Sequence, residues 1–168
     1  MNNQTIIEQI ESAVNNKQVN QETLRLMLEN IGNIDGYLRD DIIFESLYYI
    51  LDEDIISSED KIFILDYILE NNLPYFDIEK IASDGVYTRA FTALLLVEIL
   101  KNHYQANWID KTVESELIKM CMEYLFVEQD QSGKDPVKGW SHAFAHGADL
   151  IGACTMSDFF TDNEVKVF

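Results

Sequence analysis

The run Gly139-Trp140-Ser141-His142-Ala143-Phe144-Ala145-His146-Gly147-Ala148-Asp149 carries two of the chain's three histidines and a carboxylate. On a helix, His142 and His146 stand one turn apart and Asp149 follows three residues on, so the three side chains share a face. Two imidazoles and a carboxylate in that register can hold a divalent transition metal such as zinc. A neutral imidazole beside a carboxylate can also act as a general base. A catalytic metal would further need an open position for water. No Glu follows His142, so the zinc-protease HExxH pattern is absent, and no Cys-x-x-Cys cluster offers a fourth ligand. The remaining histidine, His103, falls near a helix C-terminus, where the helix dipole gives an imidazolium an ordinary role. The same residues fit a structural reading. Ala143, Ala145, Gly147, Ala148, Gly152 and Ala153 make a small-residue helix that lets neighbouring backbones come close. Ser141 would be its N-cap, and the histidines would be hydrogen-bonded core groups.

Arg89 is the second chemistry-bearing residue, because it interrupts the most apolar helix of the chain in Val86-Tyr87-Thr88-Arg89-Ala90-Phe91. A buried guanidinium needs a carboxylate. Glu98 lies on the same helix, roughly 13 Å away by helical rise, which makes Asp149 the expected partner and the pair an anchor for the last helix. The alternative is an arginine at the rim with its stem packed and its head in water. The tyrosines are spread along the chain and form no stacking platform, and neither a glycine-rich phosphate loop nor a nucleophile elbow is present.

These residues need elements to position them, and the apolar spacing supplies helices almost throughout. Ile6, Ile10 and Val14 mark a first helix. Asn20 caps a second, carrying Leu24, Met27, Leu28 and Ile31. A third runs from Tyr37 after the turn at Gly32 and Gly36. Ser57, with Asp60 three residues on, reads as a capping box for a fourth, which Asn71, Asn72 and Pro74 stop. A short helical turn over Asp77–Ala82 leads to a fifth helix, from Asp84 to Asn102, apolar all round and therefore central. A sixth starts near Asn107, Glu128–Gly139 is a loop, and a last helix covers Trp140–Ser157. The tail from residue 158 has no period. The expected fold is all-α: a single domain over residues 1–168, with antiparallel helical hairpins stacked in a right-handed HEAT- or armadillo-like array. The recurrence of Leu28-Glu29-Asn30 as Leu69-Glu70-Asn71 fits such a repeat.

Composition narrows the function classes. The chain has 168 residues, 47% hydrophobic and 25% charged, which is the profile of a globular domain able to bury a core. Its net charge is −18, and residues 1–60 alone carry 3 basic against 13 acidic groups. With no cluster of Lys and Arg, neither nucleic acid nor an anionic membrane is an expected partner; the charge fits a solvated, solubilising surface, and equally a basic protein partner or mimicry of a nucleic-acid backbone. No apolar run is long enough to span a bilayer, and no basic n-region precedes an apolar stretch at the N-terminus. The expected location is the cytoplasm. There Cys121 and Cys154, each in a helical apolar pattern, are expected as buried free thiols.

The run Val86 to Leu94, followed by Lys138-Gly139-Trp140-Ser141-His142-Ala143-Phe144-Ala145-His146-Gly147-Ala148-Asp149-Leu150, resembles the bacterial family called domain of unknown function 2785. Its members look like helical proteins with an FxRSFSAL-like helix and a KGWAHxxAHGADL-like helix. Here Ala90 and Thr92 stand where serines are common. The resemblance extends from about Leu24 onward. It implies an all-helical, HEAT-like fold and no particular activity, and it singles out Arg89, Trp140, His142, His146 and Asp149. Members usually continue with further helices after the histidine motif, so this chain resembles a shortened member. Two functional expectations result. One is a helical-repeat interaction module with a basic protein partner or a tendency to self-associate. The other is a metal- or small-molecule-dependent enzyme using His142, His146 and Asp149.

Overall fold

The structure, a computed structural model, describes residues 1–80 and 82–160. The chain is mainly helical: α1 (Asn3–Asn15), α2 (Gln21–Glu29), a π-helical segment (Tyr37–Phe44) that continues as α3 (Glu45–Asp52), α4 (Ser58–Glu70), a single 3-10 turn (Leu73–Tyr75), α5 (Gly85–Ala106), α6 (Lys111–Val127) and α7 (Ala143–Cys154). Between α6 and α7, β1 (Lys134–Asp135) and β2 (Gly139–Trp140) form a small antiparallel ladder pairing Lys134 with Trp140 and Asp135 with Gly139.

Local chemistry sets the helix ends. The side-chain oxygen of Asn20 accepts from Thr23 N at 3.0 Å, and Ser57 Oγ accepts from Asp60 N at 3.1 Å. The Leu-Glu-Asn recurrence has a local cause. Asn30 and Asn71 are the C-caps of α2 and α4, and each Nδ2 donates back to the carbonyl four residues earlier, at 2.9 and 2.8 Å. Asn16 ends α1 in the same way at 2.7 Å, without the preceding Leu-Glu pair. The repeated triplet is thus a capping device, and it gives no support to a structural repeat.

α5 is the axis of the packing. Its buried residues include Val86, Arg89, Phe91, Ala93, Leu96, Ile99 and Leu100, so they surround the helix. α7 lies against it most extensively, and α3 and the 3-10 turn pack on it too. Buried apolar residues from Ile6 in α1 to Cys154 in α7 form one cluster.

Several boundaries differ from those read in the sequence. Residues 77–80 and 82 are not helical, and Ile81 lies outside the described residues. Asn107 ends α5 in the left-handed conformation, and α6 begins instead after Asp110, whose carboxylate accepts from Thr112 N at 2.8 Å. The last helix starts at Ala143 because Trp140 belongs to the ladder. In the tail, Phe159 and Phe160 pack against the core, whereas residues 161–168 lie outside the described residues.

Candidate functional site

The segment from Glu128 to His146 is built on two buried arginines. At its start the chain leaves α6 and the Glu128 side chain turns inward. Arg89 Nε and Nη2 reach its two oxygens at 2.6 and 2.9 Å, and Arg89 Nη1 donates to Phe76 O at 3.0 Å. The same carboxylate accepts from Gln129 N at 3.0 Å, Asp130 N at 2.8 Å and Tyr124 Oη at 3.3 Å. Burial opposes the charge on Arg89, but the hydrogen bonds and charge of Glu128 outweigh it and hold the guanidinium protonated more firmly than usual. Arg89 is therefore a core cation and not a rim arginine, and its partner is Glu128, not Asp149. It anchors the loop after α6, not the last helix.

The hairpin that follows is closed by its own side chains. Asp135 Oδ1 accepts from Val137 N and Lys138 N at 2.8 Å each, and these backbone bonds hold its carboxyl below the usual range. Lys138 Nζ reaches Asp84 at 2.6 Å, at the start of α5. Ser141 Oγ donates to Ser132 O at 2.7 Å, so it ties the loop instead of capping α7.

Beneath the hairpin lies Arg39, which the sequence analysis did not single out. It sits in the π-helical segment, fully buried, with Nη1 on Asn33 O at 2.8 Å and Nη2 on Lys138 O at 2.9 Å and Trp140 O at 3.4 Å. Its guanidinium carbon lies 4.4 Å from the Tyr87 ring centroid and 4.7 Å from that of Phe91, both on α5. Its Nε stands 2.7 Å from Asp40 Oδ1 without hydrogen-bond alignment. Burial raises the Asp40 carboxyl above its ordinary value, although the Arg39 charge pulls the other way. Gly139 has φ 83°, and a Cβ there would lie 3.2 Å from Arg39 Nη2. The backbone conformation therefore favours glycine, and a side chain there would also press on Arg39.

The histidine motif folds over this platform. His142 is not on a helical face: it holds the N-cap position of α7 in the left-handed conformation, φ 54° and ψ 26°, and its carbonyl accepts from His146 N at 2.9 Å. Four-residue spacing still brings the rings near each other, because His146 N closes the first helical turn on the His142 carbonyl. Trp140 and His142 centroids are 4.2 Å apart, His142 and His146 are 5.7 Å apart, and His146 meets Phe91 edge-on at 5.9 Å. Asp149 Oδ2 is 3.8 Å from His146 Nδ1, within electrostatic reach but beyond a hydrogen bond. That Nδ1 is buried and has no hydrogen-bond partner among the described residues. Burial lowers the His146 pKa, the neighbouring His142 lowers it further, and Asp149 opposes both.

Trp140, His142, His146 and Asp149 are thus brought together, while Arg89 serves the other end of the loop. Among the described residues, no three His, Cys, Asp or Glu side chains converge as a metal-binding group. His103 belongs to another network. Its Nδ1 accepts from Trp108 N and Ile109 N at 3.1 Å each, and its Nε2 is 3.4 Å from Glu114. The small residues of α7 divide by face. A Cβ on Gly147 would lie 2.8 Å from Leu125 Cδ1, so α7 does approach α6 closely there, whereas Gly152 has open space beside it.

Outward, the segment presents Trp140 and Phe144, 46% and 39% exposed, with Lys134 Nζ 5.5 Å over the Trp140 ring. Residues 130–132 separate two open depressions. One, of about 500 Å³, includes Asp84, Asp130, Asp135 and Lys138; the other, of about 410 Å³, includes Asp130, Ser132, His142 and Phe144.

The family described as "Protein of unknown function (DUF2785)" matches residues 75–167, more than half of the chain. The match takes in the whole loop, α5, α6 and α7, and it starts well after the Leu24 implied by the motif resemblance. No curated protein and no solved structure shows detectable similarity to the chain.

Proposed function

The chain belongs to the DUF2785 family, and from that premise we propose that it is a protein-interaction module, with helical hairpins arranged in the manner of HEAT repeats, that binds a basic partner segment on the Gln129–Phe144 face. One observation carries this reading. Two large aromatic side chains, Trp140 and Phe144, remain exposed on a backbone that Arg39, Glu128 and Ser141 hold in place from below. Exposed aromatics on a stiff support are the usual anchors of a binding face, because little side-chain entropy is lost on contact. Charge selects the partner. Asp84, Asp130 and Asp135 lie in the depression beside the hairpin, and the whole chain carries −18. Lys134 over Trp140 already occupies the ring face with a cation, the position that an incoming Arg or Lys would take.

The test is binding of an array of short peptides graded in charge. Basic peptides should be retained by the wild type and lost by a Trp140→Ala, Phe144→Ala variant whose thermal midpoint is unchanged. Equal retention of acidic and basic peptides, or undiminished binding by the double variant, would refute the reading.

A second reading, a metal- or small-molecule-dependent enzyme, rests on the unpartnered Nδ1 of His146 beside Asp149. It would replace the first if protein prepared without chelator held stoichiometric zinc that a His142→Ala, His146→Ala variant lacked.

A further inference from the structure

Lys134 and Trp140 are the directly paired residues of β1 and β2. Opposite residues of a ladder share one face, so their side chains stand side by side on the hairpin. Lys134 Nζ lies 5.5 Å from the centroid of the Trp140 ring, within the range at which an ammonium is drawn to an indole face. Both side chains reach water: Trp140 is 46% exposed, and Lys134 is exposed as well. Resting on a ring is a singular choice in a chain with 30 Asp and Glu against 12 Lys and Arg. The other lysine of the hairpin, Lys138, takes a carboxylate, Asp84 at 2.6 Å. Lys134 lines the same depression as Asp130 and Asp135, yet among the described residues it forms an ion pair with neither. Those two carboxylates are turned onto the main chain of their own turns. Asp130 accepts from Ser132 N at 2.8 Å, and Asp135 accepts from Val137 N and Lys138 N at 2.8 Å each.

Resting on the reading of this face as a site for a basic segment, we propose that the Trp140 ring is its cation subsite and that Lys134 is the built-in occupant of that subsite, an autoinhibitory contact that a partner displaces. Binding is then an exchange. An incoming ammonium that takes the ring replaces like with like, because one Lys–Trp contact is lost for each one made. An incoming guanidinium gains, since its planar, weakly hydrated cation stacks on an indole better than an ammonium does. The anchoring residue of the partner is therefore an arginine.

The device needs little motion. The displaced lysine swings into water on its flexible stem, while Arg39 keeps its hold on the carbonyls of Lys138 and Trp140 from below. A ring contact at an exposed site corresponds to about a two- to five-fold change in an equilibrium constant. Lys134 thus sets a threshold for binding and does not shut the site.

The experiment compares the full chain with its Lys134→Gln and Lys134→Arg variants. The probes are nonaarginine and nonalysine peptides, which carry equal charge. Dissociation constants are measured by calorimetry at one salt concentration, once thermal midpoints show that the variants fold as the wild type does. Wild type should bind nonaarginine more tightly than nonalysine. Lys134→Gln should bind both about two- to five-fold more tightly than wild type does. Lys134→Arg keeps the charge and covers the ring more firmly, so it should bind both more weakly than wild type. NMR gives a reading without any peptide: the side-chain methylenes of Lys134 should lie upfield in the ring current of Trp140, and should return to ordinary positions as nonaarginine is added. Equal affinities for wild type and Lys134→Gln would overturn the autoinhibitory contact. So would tightening in Lys134→Gln with no weakening in Lys134→Arg, which is the mark of charge alone, and so would unshifted Lys134 methylenes in the chain without peptide. Equal binding of the two peptides by wild type would overturn arginine as the anchor. Binding of neither peptide, by wild type and Lys134→Gln alike, would instead remove the reading of the face on which the inference rests, and the inference with it.

Discussion

Arg39 and Arg89 are both fully buried, and both hold the segment between α6 and α7, but they solve the burial of a cation in different ways. Arg89 has a dedicated partner. Both oxygens of Glu128 face it, and the carboxylate's remaining capacity is taken by two backbone N–H groups and Tyr124. Arg39 has no buried carboxylate to itself. It spreads its charge over three backbone carbonyls and the faces of Tyr87 and Phe91, with the half-exposed Asp40 alongside. The first arrangement specifies a side chain and is lost as a unit if either partner goes. The second grips the hairpin by its main chain, so the side chains at Lys138 and Trp140 are left to make contacts of their own, Lys138 with Asp84 and Trp140 with His142 and Lys134. A loop stiffened by backbone recognition can present exposed aromatics without depending on them for its fold.

The sharpest way to break this contrast is Arg89→Met. It leaves Glu128 buried and charged with its cation gone, and the expected loss is about 3–5 kcal/mol in urea unfolding at unchanged m. An Arg89→Met, Glu128→Leu double variant should recover most of that loss, because the cost lies in the stranded charge. If the double variant is no better than the single one, Glu128 is not the dominant partner.

Arg39→Met should cost less, about 2–3 kcal/mol, from the unpaired carbonyls and the lost ring contacts. Less buried charge is stranded than at Arg89, since the Asp40 side chain is 36% exposed although its Oδ1 is buried. The damage should be local. Amide exchange across residues 133–146 should rise while α1 and α2 stay protected. Uniform loss of protection would show that Arg39 supports the whole core and that the two arginines play the same part.

Much of the fold could be read from the sequence because helix periodicity and capping are local signals. Asn20, Ser57 and the all-round apolar character of α5 marked real elements. The site was legible in parts. Trp140, His142, His146 and Asp149 do gather, yet the helical register assumed for His142 fails, since a left-handed residue at a helix start leaves no periodic trace. Glu128 was hidden in a loop, and its pairing with Arg89 spans 39 positions that no local pattern links. Arg39 had one available cue, a cation among Leu38, Ile42 and Ile43, but it stands in an acidic stretch, where charged residues mostly face solvent. The π-helical turn that carries it has no sequence signature of its own, although such turns gather at functional sites.

His146 gives the smallest effect and the finest test, because it lies between the two regimes: a polar group buried against Phe91, with a carboxylate near but not bonded. Burial, then His142, lower its pKa in the folded chain below the ordinary 6.5, against the pull of Asp149. The unfolded chain therefore takes up the proton first as pH falls. Stability from this group is fully present above the ordinary imidazole value and is lost as pH drops through it toward the folded value. His146→Phe keeps a ring against Phe91 and removes the proton, so the slope of stability against pH in that window should flatten relative to wild type. Asp149→Asn removes the opposing charge and should steepen the slope by lowering the folded pKa further. If Asp149→Asn leaves the slope unchanged, Asp149 has no hold on His146 in solution, and this end of the loop owes nothing to a charge pair of the kind that holds Arg89.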